Sequence, residues 1–142
     1  MSEKKIFLLE DDTNILYGLE AQFGADEFIV ESSEGEEPLE ELLDNIRSFE
    51  PDYIILDLIL PKLDGFEVVK RIREDADLGE ATIFIFTDLS DEDSKNRSIE
   101  LGAEYYFIKE EFDTYEFVEK VKKIIDNRTQ EEEEDGGDTY EE

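Results

Sequence analysis

The chain has no cysteine and no histidine, and its 14 lysines and arginines face 43 aspartates and glutamates, giving a formal net charge of -29. Without cysteine, disulfides, thiolate metal sites and thiol catalysis are excluded, and a reducing, cytoplasmic compartment is the expectation. Without histidine, the commonest general base and metal ligand is missing, and any phosphohistidine chemistry needs a partner. So few cations argue against direct binding to nucleic acid, whose phosphates are held by clustered lysine and arginine, and against anionic membrane surfaces. Long hydrophobic runs are absent too. Ile6 to Leu9 is too short for a signal-peptide core. The longest apolar stretch, Tyr53 to Leu60, is broken by Asp57 and falls well below the roughly 20 residues of a membrane span.

What remains is ample for a core: 39% of the 142 residues are apolar. That length fits one domain and leaves no room for a second folded output domain. Thr129 to Glu142 holds eight acidic residues, no basic ones and the pair Gly136-Gly137. Such a segment cannot bury apolar surface against its ordering entropy, so a domain over 1–128 and a disordered acidic tail over 129–142 are expected. The first 128 residues still carry 35 acidic against 14 basic residues, so the folded part is acidic as well, a surface suited to solubility.

Two patterns alternate before Thr129. Short apolar runs, rich in isoleucine and aromatics, occur at Ile6 to Leu9, Phe28 to Val30, Tyr53 to Leu56, Ile83 to Phe86 and Tyr105 to Ile108. They suit strands buried on both faces. Between them, apolar residues at helical spacing predict amphipathic helices, for example Leu39, Leu42, Leu43 and Ile46. Asp91 to Leu101 offers only Ile99 and Leu101 as strong apolar residues and predicts a marginal helix. Five strands each followed by a helix make an open parallel α/β sheet with helices on both faces and right-handed crossovers.

What ends each strand carries the chemistry. The first runs into Glu10-Asp11-Asp12, the third into Asp57, the fourth into Thr87 and the fifth into Lys109. In an open parallel sheet the ligand crevice lies at the carboxyl ends of the strands, so these side chains converge there. Clustered carboxylates repel unless a cation sits among them, and an all-oxygen set suits Mg²⁺ (or Mn²⁺). One carboxylate could then attack phosphorus while Lys109 neutralises charge on the transferred group and Thr87 donates a hydrogen bond. Each residue alone has an ordinary explanation. Asp12 or Thr13 suits a helix cap, Glu10 and Asp11 a solvated strand end, and Thr87 a β-former. Polar residues at the ends of four separate strands do not fit that explanation together.

These residues resemble the receiver domain of two-component response regulators over about residues 4 to 126. The resemblance rests on Glu10-Asp11, the run Ile54 to Gly65 around Asp57, Phe86-Thr87 and Ile108-Lys109. It implies the flavodoxin-like doubly wound five-stranded parallel sheet, strand order 2-1-3-4-5, with five helices. It also implies Asp57 as phosphoacceptor from a partner histidine kinase or phosphotransfer protein, and metal ligation by Glu10, Asp11, Asp57 and the carbonyl of Ile59. Lys109 would contact phosphate, and Thr87 and Tyr106 would form the switch. Such a chain catalyses only its own phosphorylation and dephosphorylation. It would signal to a downstream protein through the marginal helix, last strand and last helix, as a monomer or a weak phosphorylation-dependent dimer.

Two positions depart from the family pattern. Glu110 stands where proline usually follows the lysine in a cis peptide, so a trans Lys109-Glu110 bond or a rearranged loop is expected. Asp88 stands beside Thr87 where a small residue is usual, and would oppose phosphorylation if it faced inward. These departures keep open an alternative, a degenerate receiver acting as a phosphorylation-independent interaction module. An aspartyl-nucleophile phosphatase would need a second Asp two residues after the nucleophile, where this chain has Ile59.

Overall fold

The computed structural model describes residues 3–135. Its elements, in chain order, are β1 (Lys5–Leu9), α1 (Thr13–Ala25), β2 (Ile29–Ser33), α2 (Leu39–Phe49), β3 (Tyr53–Leu56), α3 (Gly65–Glu74), β4 (Thr82–Thr87), α4 (Glu92–Leu101), β5 (Tyr105–Ile108) and α5 (Thr114–Asp135). All strand pairs are parallel, and the sheet order is β2-β1-β3-β4-β5. This is the flavodoxin-like doubly wound arrangement expected from the sequence. No described helix is long and apolar enough to cross a membrane.

Because side chains alternate along each strand, the sheet feeds two cores. Phe7, Leu9, Ile54, Leu56, Ile83 and Ile85 point toward α2 and α3, while Ile6, Leu8, Ile55, Phe84 and Phe86 point toward α1 and α5. On the second face Phe86 stacks on Phe117 with ring centroids 3.9 Å apart. The marginal helix forms, but Ser98 is its one buried residue and Ile99 is 43% exposed. What holds α4 in place is partly polar: the Arg97 guanidinium lies 4.1 Å over the Phe66 ring of α3, and Arg73 of α3 donates to the carbonyl of Gly102.

Two elements differ from their sequence reading. The second strand starts after Phe28 and continues through Glu31, Ser32 and Ser33. It lies at the sheet edge against β1 alone, where backbone bonding suffices and an apolar run is not needed. Phe28 instead packs edge-on against Phe23 at 5.5 Å. The last helix does not stop at the boundary expected before Thr129 but runs through Asp135. Glutamate and glutamine are good helix formers, and extending an anchored helix is easier than starting one. The anchor is near: Arg128 donates to the Thr82 hydroxyl at 3.2 Å. Residues 136–142, the rest of the segment expected to be a disordered tail, lie outside the described residues.

Aspartates set where the helices begin. The carboxylates of Asp12, Asp64 and Asp91 accept from the first backbone amides of α1, α3 and α4. Asp113 and Glu116 form a reciprocal capping box at α5. The entry to α3 is also fixed by Gly65, where a Cβ would lie 2.4 Å from Leu58 Cα and 2.5 Å from its carbonyl oxygen. Both are backbone atoms, and Leu58 follows Asp57 directly, so this contact sets the path of the loop that carries the carboxylate. Gly65→Ala should therefore lower unfolding free energy by roughly 1–3 kcal/mol. Gly24→Ala, with nothing within 4 Å, should leave it unchanged or raise it. Denaturant titration of both variants checks this, and equal effects would contradict it.

Candidate functional site

The carboxyl ends of β1, β3, β4 and β5 bring the expected polar residues together. Glu10 and Asp57 are 3% and 4% exposed, while Asp11 lies open to solvent at the rim. Lys109 bridges the two buried acids, with Nζ 2.7 Å from Asp57 Oδ2 and 3.0 Å from Glu10 Oε1. The same Nζ lies 5.9 Å from the centroid of the Phe86 ring of β4, the strand that stands between β5 and β3. The remaining carboxylate oxygens are bonded too. Glu10 accepts from the Asp12 amide at 3.1 Å, and Asp57 Oδ1 accepts from the Ile59 amide at 3.0 Å. The Ile59 side chain is 48% exposed, and its backbone pairs with Asp64 in an antiparallel bridge that closes the loop.

The electrostatics follow from this burial. Loss of solvation pushes the Glu10 carboxyl up from 4.5 to about 7, with Asp57 adding to the rise and Lys109 opposing it. Burial alone would lower Lys109, but the hydrogen bond and attraction from Asp57, and then Glu10, hold it above its ordinary value. Oxygens of Glu10, Asp11 and Asp57 lie within 4.8 Å of one another. Three carboxylates against one ammonium leave excess negative charge in a small pocket of oxygen donors. That donor set fits a hard divalent cation such as Mg²⁺ or Mn²⁺.

The two switch candidates meet through a residue the sequence did not single out. Thr87 is completely buried, and its hydroxyl accepts a long 3.4 Å bond from the Leu89 amide. The half-buried Tyr106 hydroxyl donates to the Leu89 carbonyl at 2.9 Å. Burial, then Asp91 and Asp57, push Tyr106 up to about 12, so it stays a donor at ordinary pH. Leu89 takes part through its backbone, which no side-chain pattern could signal. Both departures noted in the sequence, Asp88 and Glu110, are exposed, and no described peptide bond is cis, so Lys109-Glu110 is trans.

A model of the response regulator receiver domain matches residues 6–122. The chain belongs to the response regulator receiver domain family. The alkaline phosphatase synthesis transcriptional regulatory protein PhoP of Bacillus subtilis is 36% identical over 126 residues, covering 86% of this chain and 48% of that protein. The chain thus spans about half the length of the curated relatives it matches. Among solved structures, a CheY-like receiver domain protein from Methanospirillum hungatei has a TM-score of 0.77 at 22% identity, covering 92% of this chain and 99% of that one. The phosphorylated cyanobacterial phytochrome response regulator RcpA has a TM-score of 0.66 at 27% identity, covering 76% and 81%.

Glu10 gives this receiver a pH signature. A carboxyl that binds its proton more readily folded than unfolded stabilises the fold at low pH. Its contribution is complete below about 4.5 and is lost as pH rises toward about 7. In chelator-treated protein, wild-type stability relative to Glu10→Gln should fall by about 1–3 kcal/mol across that interval. Thermal melts at stepped pH check this, and parallel profiles for the two proteins would contradict it.

Proposed function

We propose that this receiver is a phosphorylation-dependent signalling switch whose phosphoacceptor is Asp57. The observation that carries the reading is the buried Asp57 carboxylate held 2.7 Å from Lys109 at the carboxyl edge of the sheet. The donor is a phosphohistidine on a partner histidine kinase or phosphotransfer protein, since the chain has no histidine of its own. An Asp57 oxygen attacks phosphorus, an O–P bond forms, the N–P bond breaks, and the imidazole nitrogen takes up a proton. Glu10, Asp11, Asp57 and the Ile59 carbonyl would hold Mg²⁺ or Mn²⁺. When bound, that ion supplies positive charge toward the phosphoryl oxygens.

The chain's own groups do the rest. Lys109 keeps its proton and can turn from Asp57 toward a new phosphoryl oxygen. The Thr87 hydroxyl, which accepts the weak 3.4 Å contact from the Leu89 amide, has its own proton to donate to that phosphoryl group, and turning toward it would stretch that contact. Releasing the Leu89 amide disturbs the residue whose carbonyl holds Tyr106, and so couples the pocket to the loop before α4. A helix with one buried residue belongs to the less stable part of the fold, where a small change in the site shifts populations. The α4-β5-α5 face is thus the output surface toward a downstream protein, and a cytoplasmic setting belongs to the same reading. The exposure of Asp88, and the 2.7 Å approach of Lys109 to Asp57 despite Glu110 in the place of proline, favour this switch over a phosphorylation-independent interaction module.

Incubation with Mg²⁺ and a small phosphodonor should add one phosphoryl mass to the wild-type chain and none to Asp57→Asn. Intact-mass measurement checks this. An adduct on both proteins would place the acceptor elsewhere, and none on either would support the degenerate receiver.

A further inference from the structure

The way to Asp57 lies across the five loops that follow the strands, and their charge is one-sided. Together they hold thirteen acidic residues and two basic ones, Lys62 and Lys109. Lys109 is already shared between Asp57 and Glu10, and the exposed Lys62 is paired with Glu36 at 2.9 Å. The other twelve lysines and arginines of the chain lie outside these loops.

Part of this acidity has work inside the fold. Asp12, Asp64, Asp91 and Asp113 cap helices, and Glu37 accepts from Ser33. Glu34, Asp88, Glu110 and Glu111 do not. Among the described residues their side chains enter no hydrogen bond or ion pair; they come from the loops after β2, β4 and β5, at the carboxyl edge of the sheet that holds Asp57, and Glu111 also borders the groove along α5 beside Phe112 and Tyr115. This acidic edge is not itself a binding site. A phosphoryl donor, itself anionic, must nevertheless bring its phosphorus to that edge and to a pocket whose single ammonium is already matched by two carboxylates.

We propose that the donor presents its phosphohistidine on a basic surface, with lysine or arginine flanking the histidine, and that the acidic edge disfavours donors with an acidic surround. This rests on the reading of Asp57 as phosphoacceptor and adds the chemistry of the partner. Cations beside the histidine meet Glu34, Asp88, Glu110 and Glu111, supply the positive charge the edge lacks, and speed encounter by electrostatic steering. The transfer is unchanged: the N–P bond breaks, the O–P bond to Asp57 forms, and the imidazole is protonated.

The test uses two peptides of equal length, each with one phosphohistidine made with phosphoramidate, flanked by lysines in one and glutamates in the other. Each is mixed with the full chain and Mg²⁺, and transfer is followed by intact mass. At low salt the lysine-flanked peptide should react about tenfold faster or more. At about 1 M salt, where screening acts over about 3 Å, the two rates should converge. The combined variant Glu34→Gln, Asp88→Asn, Glu110→Gln and Glu111→Gln, checked for folding by its melting curve, should narrow the low-salt ratio. Equal rates, faster transfer from the glutamate peptide, or a ratio unchanged in the variant would overturn the proposal. Labelling of Asp57 by phosphoramidate with no transfer from either peptide would overturn the donor proposal alone. Failure of phosphoramidate as well would remove the phosphoacceptor reading and this inference with it.

Discussion

A buried ammonium shared by two buried carboxylates is the constraint on which this structure turns. Lys109, Asp57 and Glu10 come from residues 10, 57 and 109, far apart in sequence, and meet only because β1, β3 and β5 end at the same edge of one parallel sheet. Taking such charges out of water costs several kcal/mol per ion unless partners replace the lost solvation. Here the partners are mutual and are completed by the amides of Asp12 and Ile59. The second carboxylate remains only partly compensated, as the raised Glu10 shows. A site that still lacks positive charge is prepared to accept a divalent ion, and that same shortage makes the approach of an anionic phosphoryl group depend on what surrounds it.

The scaffold divides into a rigid part and a loose part in a way that suits a switch. Beneath the pocket β4 is buried along its whole length and β1 and β3 at all but their first residue, and the loop bearing Asp57 is pinned by the backbone contact of Gly65 with Leu58. On the other side, α4 rests on the polar Ser98, a cation over Phe66 and the Arg73 link to Gly102. Between the two parts stands Leu89, tied by its amide to Thr87 and by its carbonyl to Tyr106. The longer of those two bonds is the one on Thr87, the last residue of β4 at the carboxyl edge of the sheet.

The sequence exposed most of this because a parallel sheet makes position legible: a polar residue that ends an apolar run must lie at the carboxyl edge. Glu10, Asp57, Thr87 and Lys109 were readable for that reason, and of the two cap candidates that residue type offered, Asp12 and Thr13, Asp12 takes the role. Other features were not readable. The polar second strand is held by backbone pairing at an edge, so its side chains carry no strand pattern. The length of α5 depends on a helix already anchored at Arg128, whereas charge composition alone argued for an earlier end. Leu89 acts through main-chain atoms. Asp88 looked like an obstacle to phosphorylation as a residue type but is exposed to water, and Glu110 in place of proline leaves Lys109 2.7 Å from Asp57 across a trans bond.

The central claim, that the buried carboxylate beside Lys109 is the one that takes the phosphoryl group, is tested most directly by locating the acyl phosphate in the chain. Borohydride reduction of the phosphorylated protein converts an aspartyl phosphate to homoserine, which tandem mass spectrometry of the digested chain assigns to a position. The account predicts homoserine at residue 57 alone. Homoserine at residue 11 or elsewhere, with Asp57 recovered intact, would contradict it.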